Sequence, residues 1–348
     1  IRRPPRSTLF PTRRSSDLKN PWFNAAFPHH RPDGFTNLTP RGHASGDVKR
    51  WRQERKAAGL PRPPAEGYAS FIAQWWQHAE INGDDDRVWW LGHSSILLRL
   101  MGQYILTDPV FSDRASPLRF VGPQRRTPPA LAISELPSLD TIVISHNHYD
   151  HLDVRTMRAL IQRFPHVTIF VPLGLGSWCR RLGARNVIEL DWWQSVVFQG
   201  LVYTAVPAQH WSMRTPWDRN SVLWCGWVIE NSAQRFWFPG DTGYSEDLLA
   251  IPQRLGPLSL AALPIGAYAP RWFMAYNHMD PQQAVTLWQQ LGKPLSFPVH
   301  WGVFELADES LDEPLRELDN ALSETADDVT NFMTLKIGQY LSLQNTGE

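Results

Sequence analysis

With 348 residues, 43% apolar content and no internal repeat, the chain can bury a substantial core as one large α/β domain carrying an extension. Its 34 basic residues balance 34 acidic ones, so no global field steers it toward a polyanion and nucleic acid is excluded as an expected partner. Cys179 and Cys225 lie far apart and lack metal or redox spacing, so they read as small buried hydrophobes rather than a disulfide framework.

Residues 1–18 contain Thr8-Leu9-Phe10-Pro11-Thr12-Arg13-Arg14-Ser15-Ser16-Asp17-Leu18, which resembles the translation of a sequencing adapter and lacks both a starting Met and a signal-peptide layout. This segment is expected to be non-native. The native N-terminus is then missing, and localisation stays unknown, with the bacterial cytoplasm or a membrane surface as the expected setting. Residues 19–64 form an N-terminal extension of loop-like composition, in which His29, His30 and His43 read as solvated. The main domain spans 65–348. Its first element is a helix over Tyr68–Glu80, with Phe71, Ile72, Trp75 and Trp76 on one side, packed on the core or presented to a membrane or partner.

Val88–Leu100 and Gln103–Val110 read as paired strands joined at Met101-Gly102. After the apolar run Thr141–Ile144 comes a helix over Asp153–Phe164, with Met157, Leu160, Ile161 and Phe164 at helical spacing, and then a strand over Val167–Pro172. Further strands are expected at Gln194–Pro207, Val222–Glu230, Arg235–Phe238, Ser259–Pro264, Leu295–Val299 and Phe332–Leu343. Helices are expected at Ser245–Leu255, Asp280–Leu291 and Glu313–Asp327, the second started by an Asp cap and a first-turn Pro. The chain has 17 tryptophans, enough to make a homodimer a reasonable expectation. Trp89, Trp90, Trp224, Trp227 and Trp237 are assigned to the core. Trp211, Trp217, Trp272 and Trp301 flank candidate ligands, where they either line a groove for an apolar substrate or simply pack.

The most informative stretch is Ser145-His146-Asn147-His148-Tyr149-Asp150-His151, where four metal-ligand side chains fall within six residues directly after a buried strand. His-x-His at a strand end points both rings to one face, and imidazole with carboxylate suits zinc, with iron or manganese tolerated. Asp150 and His151, where the chain turns into a helix, can reach a second ion beside the first. Four side chains cannot complete two shells, so further ligands are expected at later strand ends. His210, Asp241 and His300 each occupy such a position.

This order, H-x-H-x-D-H followed by a His, an Asp and a last His, resembles the metallo-β-lactamase superfamily over about Val88 to Leu343. Within it the wording is similar to the N-acylphosphatidylethanolamine-hydrolysing phospholipase D group and its bacterial relatives. The shared phrases are Gly92-His93-Ser94, Leu106-Thr107-Asp108-Pro109, Phe238-Pro239-Gly240-Asp241-Thr242-Gly243-Tyr244, Ile265-Gly266-Ala267-Tyr268, Pro270-Arg271-Trp272-Phe273-Met274 and His300-Trp301-Gly302, with His278 ahead of Asp280-Pro281. The resemblance implies a four-layer αββα sandwich and two zinc ions. It places His146, His148 and His210 on one ion and Asp150, His151 and His300 on the other, with Asp241 bridging.

It also implies hydrolysis by a metal-bridging hydroxide that Asp150 helps orient. The implied substrate is the phosphodiester of an N-acylated phospholipid, cleaved to N-acylethanolamine and phosphatidic acid, with peripheral membrane contact. His278 is implied at substrate, in phosphate binding or leaving-group assistance. His93 and Asp108 are candidates to orient ligands from behind, and Tyr268, Trp272 and Trp301 are candidate substrate neighbours. The rival readings are an ester or lactone hydrolase with a small basic pocket, a nuclease, a β-lactam hydrolase and a non-catalytic lipid-binding protein. The nuclease is opposed by zero net charge. The β-lactam hydrolase is opposed by Asp241, which stands where a second-metal Cys would be expected.

Overall fold

The computed structural model describes residues 19–39 and 44–343; the adapter-like segment and His43 lie outside the described residues. The extension opens with a short hairpin, β1 (His30–Arg31) and β2 (Gly34–Phe35), followed by helices α1 (Asp47–Ala58) and α2 (Gly67–Trp75). Helix α1 falls where a loop was expected: it buries no residue, so its sequence carries no apolar period to read. Helix α2 stops at Trp75, short of the expected Glu80. Trp76 turns extended and bridges Ile337, and Gln77 N–H donates to the Ile337 carbonyl at 2.9 Å. Phe71 is buried against Trp301, so this helix packs on the core.

Two sheets then form face to face. The first takes β3 (Arg87–Gly92), β4 (Ser95–Leu100), β5 (Gln103–Thr107), β6 (Thr141–Val143), β7 (Thr168–Pro172) and β8 (Asn186–Leu190) in chain order. Helices α3 (Val154–Arg163) and α4 (Gly176–Arg181) form its crossovers. The second takes β9 (Ser195–Phe198), β10 (Leu201–Val206), β11 (Gly226–Glu230), β12 (Arg235–Phe238), β13 (Leu260–Pro264) and β14 (Leu295–Val299), with α5 (Ala250–Leu255), α6 (Arg271–Met274) and α7 (Pro281–Gln290) between the later strands. After α8 (Glu313–Ser323) the chain returns to the free edge of the first sheet, where β15 (Tyr340–Ser342) pairs with β3. Only these three residues of the expected Phe332–Leu343 strand are extended in the sheet, because Phe332 and Ile337 are spent on isolated bridges and Gly338 bends the chain.

The result is a four-layer αββα sandwich. Inner strands such as β4 and β7 are buried on both faces and therefore read as continuous apolar runs. Met101 and Gly102, at φ 52° and 75°, make the tight β4–β5 turn with both central residues left-handed, matching the strand twist. Phe170 of the first sheet stacks on Tyr203 of the second at 4.2 Å, and Tyr203 and Thr141 share a hydroxyl hydrogen bond across the gap at 3.0 Å. Trp227 fills the same layer and donates its indole N–H to the Ile144 carbonyl at 2.9 Å, which fixes the chain one residue before the His-rich segment. Truncating such a fully buried indole to Ala costs about 3–5 kcal/mol. All five tryptophans assigned to the core are fully buried.

Candidate metal centre

Each candidate ligand leaves the end of a strand, and the two sheets deliver them to one seam. His146, His148, Asp150 and His151 follow β6. His210 follows β10, Asp241 follows β12 and His300 follows β14. Asp153 caps α3 by accepting from the N–H groups of Arg155 and Thr156, so the helix begins just after His151 and holds the preceding turn. Asp241 needs a close approach: a Cβ at Gly240, whose φ is 64°, would lie 2.4 Å from the Ser145 Cβ. A Cβ at Gly266 would lie 1.9 Å from the His300 carbonyl oxygen, so that glycine lets the neighbouring loop seat the last ligand.

The donor atoms converge in two groups. His146 Nε2 lies 2.8 Å and His210 Nε2 3.1 Å from His148 Nδ1. Asp241 Oδ2 stands 3.9 Å from His146 Nε2 and 3.7 Å from His210 Nε2. On the other side Asp241 Oδ2 lies 3.1 Å from His151 Nε2, and Asp241 Oδ1 lies 3.0 Å from His300 Nε2. Asp150 Oδ2 completes the second group, 3.4 Å from His151 Nε2 and 3.5 Å from His300 Nε2. Ligands about 2.0–2.2 Å from a common tetrahedral cation sit at such mutual distances.

The chemistry of these atoms tests whether cations fit. Of the converging donor atoms, His151 Nε2, His300 Nε2 and Asp241 Oδ1 are buried without a well-formed hydrogen bond. Burial pushes His148 down to about 4 and His210 to about 3, and holds His146 well below the ordinary imidazole value. These rings are neutral, with lone pairs to give. Burial opposes charge on Asp150 and Asp241, but His151 outweighs it, with His300 assisting, and both stay well below the usual carboxylate range. Burial likewise opposes charge on His151 and His300, yet Asp241 and Asp150 pull His151 well up and His300 up to about 9. Two buried carboxylates thus draw positive charge onto two imidazoles. Divalent cations would supply that charge and release the protons, so the residues fit a metal pair.

A layer of hydrogen bonds behind the ligands sets their tautomers. Asp108 Oδ2 accepts from His151 Nδ1 at 2.7 Å, Ser145 Oγ lies 2.9 Å from His146 Nδ1, and the Asn277 carbonyl accepts from His210 Nδ1 at 3.0 Å. His93 Nε2 reaches Asp150 Oδ2 at 3.1 Å, and its ring lies 4.1 Å from that of His300. His93, Asp108 and His300 hold left-handed φ values of 53°, 31° and 63°, so three non-glycine residues in unfavourable backbone conformations gather here.

Residues 103–301 match the model of the beta-lactamase superfamily domain, more than half of the chain. The chain belongs to the metallo-β-lactamase superfamily. It is 40% identical over 264 residues to N-acyl-phosphatidylethanolamine-hydrolyzing phospholipase D 1 of Caenorhabditis elegans, covering 72% of this chain and 74% of that one. It is 39% identical over 311 residues to an uncharacterized protein of Mycobacterium tuberculosis, covering 84% and 78%. A possible metal-dependent hydrolase from Veillonella parvula superposes with a TM-score of 0.61 at 17% identity, over 75% of this chain and 100% of that one. As a superfamily member related to that phospholipase group, the protein is a metal-dependent hydrolase.

Beside the metallo-β-lactamase seam, a cavity of about 470 Å³ opens against His210, walled by Trp211, Trp272, Phe273, Tyr276 and Asn277, with Arg219 at its edge. Trp211 lies 4.5 Å from the His148 ring and carries the Arg219 guanidinium at 4.5 Å on its own ring. Trp272 lines the cavity and is 41% exposed. Trp301 does not line it: this ring is buried among Trp75, Trp90 and Phe71. Tyr268 is also buried, its hydroxyl donated to Glu313 at 3.0 Å, and Trp217 stands 89% exposed on a loop. His278 comes closer than expected: its donor nitrogen shares a 4.8 Å neighbourhood with those of Asp241 and His300, and burial pushes it down to about 3.

His29 and His30, expected in solvent, are buried and both face Asp191, at 2.7 and 2.9 Å. The polar context that suggested solvation belongs to a strap folded onto the sandwich. The residues that sequence reasoning missed, Asn37, Ser145, Asn277 and Asp191, act through backbone groups or through hydrogen bonds to distant parts of the chain, and no local pattern marks them.

Proposed function

We propose that this chain is a binuclear metal-dependent phosphodiesterase of the phospholipase D type that acts on N-acylphosphatidylethanolamine-like lipids. The observation that carries the reading is Asp241, whose carboxylate faces both groups of donor nitrogens at once and so joins two metal shells. Two zinc ions suit the donor set, with iron or manganese as alternatives. When bound, such a pair acidifies water and stabilises charge on a phosphoryl oxygen.

The protein's own groups do the rest. Asp150, with 14% of its side chain exposed and His93 holding Oδ2, orients water and takes its proton. His278, kept neutral by burial, donates to the phosphate or to the departing oxygen. Water oxygen joins phosphorus, the bond from phosphorus to the ethanolamine oxygen breaks, and the proton that Asp150 took from water passes to that oxygen, so that N-acylethanolamine leaves and phosphatidic acid remains. The cavity beside the seam sets Trp211, Trp272 and Phe273 among polar neighbours such as Arg219 and Arg271, a mixture that suits an acyl chain next to a phosphate. The relative named for this activity supports the substrate class.

The loop between β5 and β6 supports the expectation of peripheral membrane contact. Its tip exposes Leu118, Phe120 and Val121 at 47%, 76% and 53%, with Arg119 among them, a combination suited to the interface of an anionic bilayer. No helix among the described residues is long and apolar enough to cross a membrane.

The test combines metal analysis with hydrolysis of bis(p-nitrophenyl) phosphate and a p-nitrophenyl ester by protein starting at Lys19. About two metals per chain with phosphodiester preference is the expected result. Ester cleavage alone would move the assignment to an ester or lactone hydrolase, and absence of metal would overturn it. Sedimentation with phosphatidylcholine–phosphatidylglycerol vesicles tests the tip separately: Phe120→Ser should weaken partition without touching p-nitrophenyl turnover.

A further inference from the structure

We infer that the N-terminal strap is a working part of the metal centre, because the buried amide of Asn37 positions His210. The inference rests on His210 being a ligand. Asn37 Nδ2 donates to the His210 carbonyl at 2.9 Å, and Asn37 Oδ1 accepts from the His210 N–H at 3.3 Å. This two-point pairing gives His210 the main-chain partners that a neighbouring strand would provide, four residues after β10 has ended.

The remaining capacity of the amide is used as well. Trp224 Nε1 donates to Oδ1 at 3.0 Å, and Nδ2 donates to the Tyr276 hydroxyl at 2.9 Å. With its main chain held by Asn37 and its Nδ1 held by the Asn277 carbonyl, His210 has only Nε2 left to face His148 and Asp241. Asn37 is therefore a positioning residue.

The strap is itself anchored on both sides of this contact. His29 and His30 grip Asp191, Phe35 is buried, and its N–H donates to the Asn220 carbonyl at 2.8 Å. Asn220 in turn donates its N–H to the Ser212 carbonyl at 2.8 Å. The loop from His210 to Asn220 is thus tied to the strap at each end, and Thr36 and Asn37 also wall the substrate cavity. The superfamily domain matched at 103–301 does not contain the strap, so that domain alone does not provide this restraint.

Asn37→Ala and Asn37→Asp, titrated with cobalt(II) and with zinc against a chelator, test the inference alongside the visible spectrum of the cobalt form and urea unfolding of metal-free protein. Asn37→Ala is expected to weaken one of two binding steps by about 10–100-fold and to shift the cobalt spectrum, leaving the other step near wild type. Asn37→Asp keeps the acceptor for the His210 N–H and loses the donor to its carbonyl, so an intermediate affinity is expected, and it carries the test if the alanine variant does not fold. Unchanged affinities and spectrum would overturn the inference. So would equal weakening of both steps in parallel with metal-free stability, which would make Asn37 a fold residue only. A wild-type protein that binds no metal would remove the ligand reading and this inference with it, a result distinct from either of those.

Discussion

Asp108→Asn is the substitution that bears most directly on the centre, because it preserves shape and changes only what stands behind His151. The carboxylate is fully buried, accepts His151 Nδ1–H and the Ser145 N–H at 2.7 Å each, and also meets Ser145 Oγ. If the amide oxygen keeps the Ser145 N–H, its NH₂ faces a ring N–H. His151 must then move its proton to Nε2, the atom that faces Asp241 and Asp150. Losing such an outer partner lowers metal affinity by about 10–100-fold, or about 1.4–2.8 kcal/mol. Stability of the metal-free fold should change less. The lost charge-assisted bond is worth about 1.5–3 kcal/mol, but a neutral amide no longer carries the desolvation that pushes the Asp108 carboxyl up. Chelator competition on the variant, paired with urea unfolding of its metal-free form, separates the two effects. Wild-type affinity for both ions in Asp108→Asn would refute the reasoning.

Three further outcomes are expected. Asp241→Asn and His148→Ala should each abolish turnover with the circular dichroism spectrum retained; full activity in both would defeat the binuclear arrangement. His278→Ala should lower phosphodiester turnover by about 10²–10⁴-fold with metal content unchanged, whereas lost metal would make it a ligand and an unaltered rate a structural residue. Burial opposes charge on Asp191, but the imidazoles of His29 and His30 and the Trp192 N–H outweigh it and hold the carboxyl below its ordinary value. Its contribution to stability is therefore full above the unfolded value near 4 and is lost as pH falls through the lower folded value. Unfolding midpoints of wild type and Asp191→Asn should converge as pH is lowered across that window, and a gap independent of pH would show that the carboxylate's charge is not involved.

The sandwich and its ligand-bearing strand ends were legible because their signals are local. H-x-H-x-D-H is contiguous, and Phe236-Trp237-Phe238 before Asp241 or the largely apolar Leu295–Val299 before His300 are short strand-like runs followed by a polar residue. Helix α1 was illegible because nothing on it is buried, so its charged sequence has no period to betray it. His29 and His30 were misplaced because burial there depends on Asp191, a residue far along the chain that contributes the compensating carboxylate. Trp301 was ambiguous for a related reason. Adjacency to His300 in sequence places the two side chains on opposite sides of the backbone, one to Asp241 and one to Trp90.

That the candidate ligands are spread along the chain on both sheets has a consequence for how the protein is made. A chain leaving the ribosome exposes His146, His148, Asp150 and His151 first, yet Asp241 emerges only after four of the six second-sheet strands and His300 only after all six. A half-synthesised chain can offer a cation no enclosed site. Asn37, made well before His210, must wait for it before its amide has this partner. All seven candidate donors are therefore present only once His300 has been made, and a truncated product ending before β14 would lack the last of them.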